Sequence, residues 1–148
     1  MTDFQLAPAF LETSAPLTPL QLCEARLQLD ARWPWIVLIP RRAGACEIAD
    51  LTPDERAALM EEIVVAGAAV RAIGAALDRP VEKLNVGALG NITPQLHVHI
   101  VGRRADDDAW PGPVWGVGTA RAYFANELKR AVDAACAALG DGEIKTGA

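Results

Sequence analysis

Apolar and polar positions change period several times along the chain, and the changes mark out its elements. Leu20 to Asp30 alternates, with Leu20, Leu22, Arg26 and Gln28 in one parity and Cys23, Ala25, Leu27 and Leu29 in the other, which predicts an outer strand. Trp35 to Pro40 (WIVLIP) is a short β-rich run closed by proline, and the residues between the two runs turn the chain back into an antiparallel hairpin. Thr52-Pro53-Asp54-Glu55 then supplies an N-cap, a proline at the first helical position and an acid at the third. A helix opens there. Leu59, Ile63, Ala66, Val70, Ile73 and Leu77 keep to one stripe at helical spacing, and Pro80 ends the helix near Leu77. Lys83–Leu89 and Gln95–Val101 read as a second hairpin around Gly90-Asn91-Ile92-Thr93-Pro94. After a Pro/Gly-rich loop, Asp106 to Pro113, a second amphipathic helix is predicted from about Ala120, with Phe124, Leu128, Val132, Ala135 and Leu139 facing the core and the last few residues fraying. Hairpins with helices between them argue for an α+β fold rather than a parallel doubly wound sheet.

The length of 148 residues suits one domain spanning 1–148, with its core at about 20–140. With 51% apolar and 22% charged residues, the chain is neither disordered nor membrane-spanning in character, since its most apolar run is the short Trp35–Pro40 stretch. The first twenty residues hold Asp3 and Glu12 but no Lys or Arg, the reverse of a signal peptide, so a cytoplasmic protein is expected. A net charge of −5 leaves no broad positive field for a large nucleic acid, although backbone amides and an arginine can still hold a small anion. Cys23, Cys46 and Cys136 are far apart and form no C-x-x-C pair, which points to packing roles and a reducing compartment.

The candidate chemistry is concentrated at His97 and His99, the chain's two histidines. On a strand, Gln95, His97 and His99 share one face while Leu96, Val98 and Ile100 share the other, so a polar row faces away from the core. Three readings compete. The pair can be structural histidines. It can belong to an H-x-H metal site, for which no further His or Cys ligand is in view and the following Arg103 and Arg104 are unsuited. It can supply a histidine nucleophile for phosphorus.

Gln95-Leu96-His97-Val98-His99-Ile100-Val101, followed by Gly102-Arg103, resembles the histidine triad motif with glutamine in place of the first histidine. The order of elements from Leu20 to Gly116 is similar to that family too, including Pro40-Arg41, the helix start at Leu51 to Glu55, Asn85 before the Gly90 loop, and Ala109-Trp110-Pro111-Gly112 after the motif. The resemblance implies a homodimer with an antiparallel sheet of about five strands and two main helices. It implies cleavage at the α-phosphate of a nucleoside phosphoramidate or dinucleoside polyphosphate, with no cofactor and no protein-bound metal. By position, His97 would be the nucleophile forming a nucleotidyl-imidazole, His99 a phosphate-binding partner, and Gln95 an orienting group that cannot take up a proton near neutral pH. Asp30 would hold ribose hydroxyls, Asn85 and Asn91 would lie near the phosphates, and Trp110 would reach toward the partner subunit's nucleotide. Trp33, Trp35 and Trp115 are read as packing residues, and Arg103 and Arg104 as solvated charges at a strand end. Ile92 stands where many relatives have Ser or Thr. The alternative implied by Gln95 and Ile92 is a nucleotide-binding regulatory or adaptor dimer without turnover.

Overall fold

A computed structural model describes residues 3–140, and its five strands form one antiparallel sheet in the order β1-β2-β3-β5-β4. These are β1 (Ser14–Pro16), β2 (Cys23–Gln28), β3 (Trp35–Pro40), β4 (Lys83–Gly87) and β5 (Val98–Arg103). The helices are α1 (Pro8–Thr13), α2 (Pro53–Ala76) and α3 (Ala125–Leu139). The hairpin of β2 and β3 pairs Leu27 with Ile36 and Ala25 with Leu38, while β5 lies between β3 and β4, placing His99 opposite both Val37 and Gly87.

Helix α2 begins where its capping residues predict. The Thr52 side chain accepts from the Glu55 amide at 3.2 Å, and the Glu55 carboxylate accepts from the Thr52 amide at 2.8 Å. With α3 it covers the sheet face carrying Ala25, Leu27, Ile36, Leu38, Val98 and Ile100. Gly102 permits the close approach there, since a Cβ would stand 2.7 Å from Pro34 Cγ and 2.9 Å from Val70 Cγ1. A buried carboxylate ties the helix to the sheet, with Glu62 accepting from the amides of Leu22 at 2.6 Å and Cys23 at 3.1 Å. Burial and then the Glu62 carboxylate push the Cys23 thiol far above its usual range, so this cysteine is a packing residue.

The opposite face has its own apolar cluster. Trp33, Trp35, Val37, Ile39 and Val101 are buried there beneath Phe10 of α1 and Val114, with Phe4, Leu6 and Trp115 packed against them. Neither α1 nor β1 is predicted by the sequence pattern, because pieces of six and three residues are too short to establish a period. Several boundaries also move: β2 covers Cys23–Gln28 rather than Leu20–Asp30 and lies between β1 and β3 rather than outermost, and β5 runs on to Arg103. β5 starts at Val98 rather than Gln95, because the Leu96 amide donates to the Ala45 carbonyl instead of joining the ladder. β4 ends at Gly87 rather than Leu89. α3 starts at Ala125, and Phe124, expected in the core, is exposed as its N-cap, because Ala31 and Arg121 pair by a main-chain hydrogen bond and hold the preceding segment extended. The expected fraying beyond Gly140 lies outside the described residues.

Glu62→Ala removes the acceptor for both buried amides. It is expected to destabilise the protein by about 2–4 kcal/mol, read as a lower midpoint in urea unfolding. Glu62→Gln, which keeps one carbonyl acceptor, should lose less.

Candidate active site

His97 immediately precedes β5 and His99 is its second residue, so alternation continues through both and their rings meet on the face away from α2 and α3. The ring centroids are 4.8 Å apart and steeply inclined. Each imidazole is walled by aromatic rings. Phe10 approaches His97 edge-on at 4.9 Å, while Trp35 and Trp115 stand 5.6 Å and 5.5 Å from His99. Trp115 has room because position 87 is glycine, where a Cβ would lie 3.1 Å from the indole.

The hydrogen-bond partners assign the protons. His97 Nδ1 is 2.7 Å from the main-chain oxygen of Gln95, and a carbonyl can only accept. The neutral ring therefore donates from Nδ1 and keeps its lone pair on Nε2. His99 Nδ1 is 3.0 Å from Trp35 Nε1, and an indole N–H can only donate. That ring accepts at Nδ1 and carries its proton on Nε2. Burial, reinforced by the adjacent His97 imidazole, pushes the His99 pKa down to about 4, so the ring is uncharged at neutral pH. With Nδ1 of each ring engaged, a neutral His97 offers its Nε2 lone pair and His99 its Nε2–H. That combination suits attack on an electrophile whose oxygens are held by a hydrogen bond.

His97 also borders a cleft between the loop carrying Glu47 and Ile48 and the loop carrying Leu89 and Gly90. Asn91 follows Gly90 and is exposed beside this opening. Among the described residues no group of three or more His, Cys, Asp or Glu is arranged to hold a metal ion.

Other expected site residues are placed elsewhere. Asp30 is buried two residues beyond the end of β2, at the opposite end of the sheet from His97. Burial pushes its carboxyl up, but hydrogen bonds from Arg32 and from the Arg32 and Arg121 amides outweigh this and hold it low. Its two carboxylate oxygens accept from the Arg32 guanidinium and from the Arg121 amide. The Asn85 side-chain oxygen accepts from Arg103 Nη1 at 2.7 Å. Arg103 is fully buried, gripping Asp107 with two nitrogens and the Gly112 carbonyl with one, and so is not a solvated strand-end charge. Arg104 pairs with Asp106. Trp110 is partly exposed beside the Arg103 guanidinium, at the end of β5 away from His97.

Gln95 departs furthest from expectation. Its side chain bonds main-chain groups of residues 5 and 7, while its main-chain oxygen serves His97. Sequence reasoning missed Phe10, Trp35 and Trp115 as walls of the site. Alternation along β3 does place Trp35 in the parity of Val37, the residue opposite His99, and that signal was available once the strands were paired.

The HIT domain family profile matches residues 13–106. The fold also matches solved structures of histidine triad proteins from three bacteria. The protein from Bradyrhizobium japonicum is 40% identical with a TM-score of 0.84, over 90% of this chain and 96% of that one. The protein from Sinorhizobium meliloti is 40% identical with a TM-score of 0.83, over 92% and 97%. The protein from Marinobacter aquaeolei is 32% identical with a TM-score of 0.81, over 93% and 97%. No curated protein sequence matches significantly. Antiparallel sheet, paired imidazoles and these likenesses define a nucleotide-binding hydrolase or transferase class. The chain belongs to the histidine triad (HIT) family.

The native His99 titrates near 4, whereas in the unfolded chain it returns toward 6.5. Between these values the unfolded state binds more protons, so stability is present above that window and is lost as pH falls through it, by about 3 kcal/mol in full. Urea midpoints at pH 7 and 4.5 should show this loss in the wild type and much less of it in His99→Asn.

Proposed function

We propose that the protein hydrolyses or transfers nucleotidyl groups in the cytoplasm, cleaving at the α-phosphate of a nucleoside phosphoramidate or dinucleoside polyphosphate. The observation that carries this reading is the pair of opposite contacts at the two Nδ1 atoms, His97 on the Gln95 carbonyl and His99 on the Trp35 indole, which sets a lone pair on Nε2 of a neutral His97 and an N–H on Nε2 of His99. His97 Nε2 attacks phosphorus, a nitrogen–phosphorus bond forms, and the bond to the leaving amine or phosphate breaks with its electron pair on the leaving group. The Nδ1–H of His97 stays on the Gln95 carbonyl and delocalises the positive charge that develops on the ring. His99 donates from Nε2 to a non-bridging phosphate oxygen. The leaving group takes its proton from solvent in the cleft, because the Gln95 amide is no acid and is turned toward α1. Water then attacks phosphorus, loses its proton to solvent, and displaces His97 to release the nucleoside monophosphate. Asn91, beside the opening, is a further phosphate contact in this reading.

The reading extends to a homodimer. Among the described residues β4 is the last strand of the sheet, with Val86 and Leu89 exposed along and beyond it, and Met60 and Val64 present exposed apolar side chains on α2. An open apolar edge of this kind favours pairing with a second copy. Light scattering at micromolar concentration should give about 31 kDa, twice 15.7 kDa. A mass near 15.7 kDa would refute the dimer and remove any role for Trp110 at a partner's site.

Incubation with labelled adenosine phosphoramidate or diadenosine polyphosphate, followed by denaturation in acid or alkali, tests the chemistry. The wild type should trap an acid-labile nucleotidyl group on His97. His97→Ala should bind adenosine monophosphate but trap nothing, whereas His99→Ala should form the adduct about 10²–10³ times more slowly. Full turnover in His97→Ala, or an adduct on another residue, would refute the mechanism. Nucleotide binding with neither adduct nor product would support a binding-only regulatory protein.

A further inference from the structure

Helix α1 crosses the histidine face and is fastened at both ends by long polar side chains. At its start, Gln95 Oε1 accepts from the Ala7 amide at 2.8 Å and Gln95 Nε2 donates to the Gln5 carbonyl at 2.8 Å. At its end, Arg26 of β2 donates from Nε to Ser14 Oγ at 2.7 Å and from Nη2 to the Ser14 carbonyl at 2.9 Å, and Ser14 Oγ donates to the Phe10 carbonyl. A six-residue helix is far below the length at which helices persist alone, so its order depends on these anchors and on apolar contacts beneath it. Between the anchors, Phe10 is buried with its ring edge 4.9 Å from the His97 ring.

We propose that the Gln95 side chain is a positioning group for His97: its amide holds α1 so that Phe10 fixes the ring's orientation. The catalytic consequence rests on the function proposed above, whereas the restraint on the ring does not. An amide suits this position because one side chain must accept from Ala7 and donate to Gln5 at once. The glutamine is thus a built part of the site, and its side chain acts through α1 and Phe10 rather than by proton transfer. Misplacing a nucleophile by about 1 Å can cost about 10²-fold in rate, so a ring freed on the Phe10 side loses speed without losing its lone pair.

Two measurements on Gln95→Ala, Gln95→Glu, Phe10→Ala and the double variant Gln95→Ala/Phe10→Ala test this. The first uses no substrate and follows carbethoxylation of His97 by diethyl pyrocarbonate, read by peptide mass. Both alanine variants should be modified several-fold faster than the wild type, and the double variant no faster than the quicker single one. Gln95→Glu, which can accept from Ala7 but not donate to Gln5 when ionised, should fall between wild type and Gln95→Ala. The second is the single-turnover rate of adduct formation, expected to fall about ten- to hundredfold in either alanine variant with little change in nucleotide affinity, and no further in the double variant. Phe10→Leu, which keeps apolar volume, replaces Phe10→Ala if that variant does not fold. Wild-type rates of His97 modification in Gln95→Ala, or losses that multiply in the double variant, would overturn the proposal. A wild type that traps no adduct refutes the proposed function, while the modification rates still decide whether Gln95 restrains the ring.

Discussion

Two adjacent imidazoles can cooperate on one electrophile only if their protons sit on different nitrogens, and this protein enforces that difference with partners that cannot reverse roles. The Gln95 carbonyl has no proton to give, and the Trp35 indole has no lone pair in its plane to offer. In the proposed mechanism one ring is thereby set as nucleophile and its neighbour as donor before any substrate arrives. The remaining structure serves this constraint. Strand alternation turns both rings to one face, Gly87 leaves room above the sheet for Trp115, and partial burial among the aromatic rings keeps His99 uncharged at neutral pH.

The fold supports this by burying both faces of a small sheet in different ways. One face is packed by α2 and α3 and locked by Glu62, so the position of β5 is set by a rigid apolar core. The other is covered by short segments, the N-terminal strap and the loop ending in Trp115, which shape the space around the imidazoles. Arg103, Asp107 and Asn85 then fasten the far end of β5 to the loop that follows it. Burial raises the Asp107 carboxyl, but the Arg103 guanidinium and nearby backbone amides outweigh it and hold this acid ionised.

How much was legible in the sequence depended on how local each signal was. The Thr52 to Glu55 capping box placed the start of α2, and the parity of His97 and His99 put both on one face even though the ladder begins only at Val98. The contacts of Asp30 with Arg121 and of Asn85 with Arg103 were not legible, because those partners become apparent only when separate segments meet. Phe124 satisfied the helical period yet stays outside, since the segment before α3 is held extended by Ala31 and Asp30. Gln95 was legible as a departure from a motif. Its role was not, because α1 carries no pattern of its own and gains order only from tertiary contacts.

The account stands on the protonation pattern of the two rings, and long-range proton–nitrogen correlation spectra of the uniformly ¹⁵N-labelled protein at pH 7 observe it directly. The predicted spectrum has His97 protonated at Nδ1 with a free Nε2, and His99 protonated at Nε2 with Nδ1 accepting. Two rings in the same tautomer, or averaged shifts on either, would contradict it.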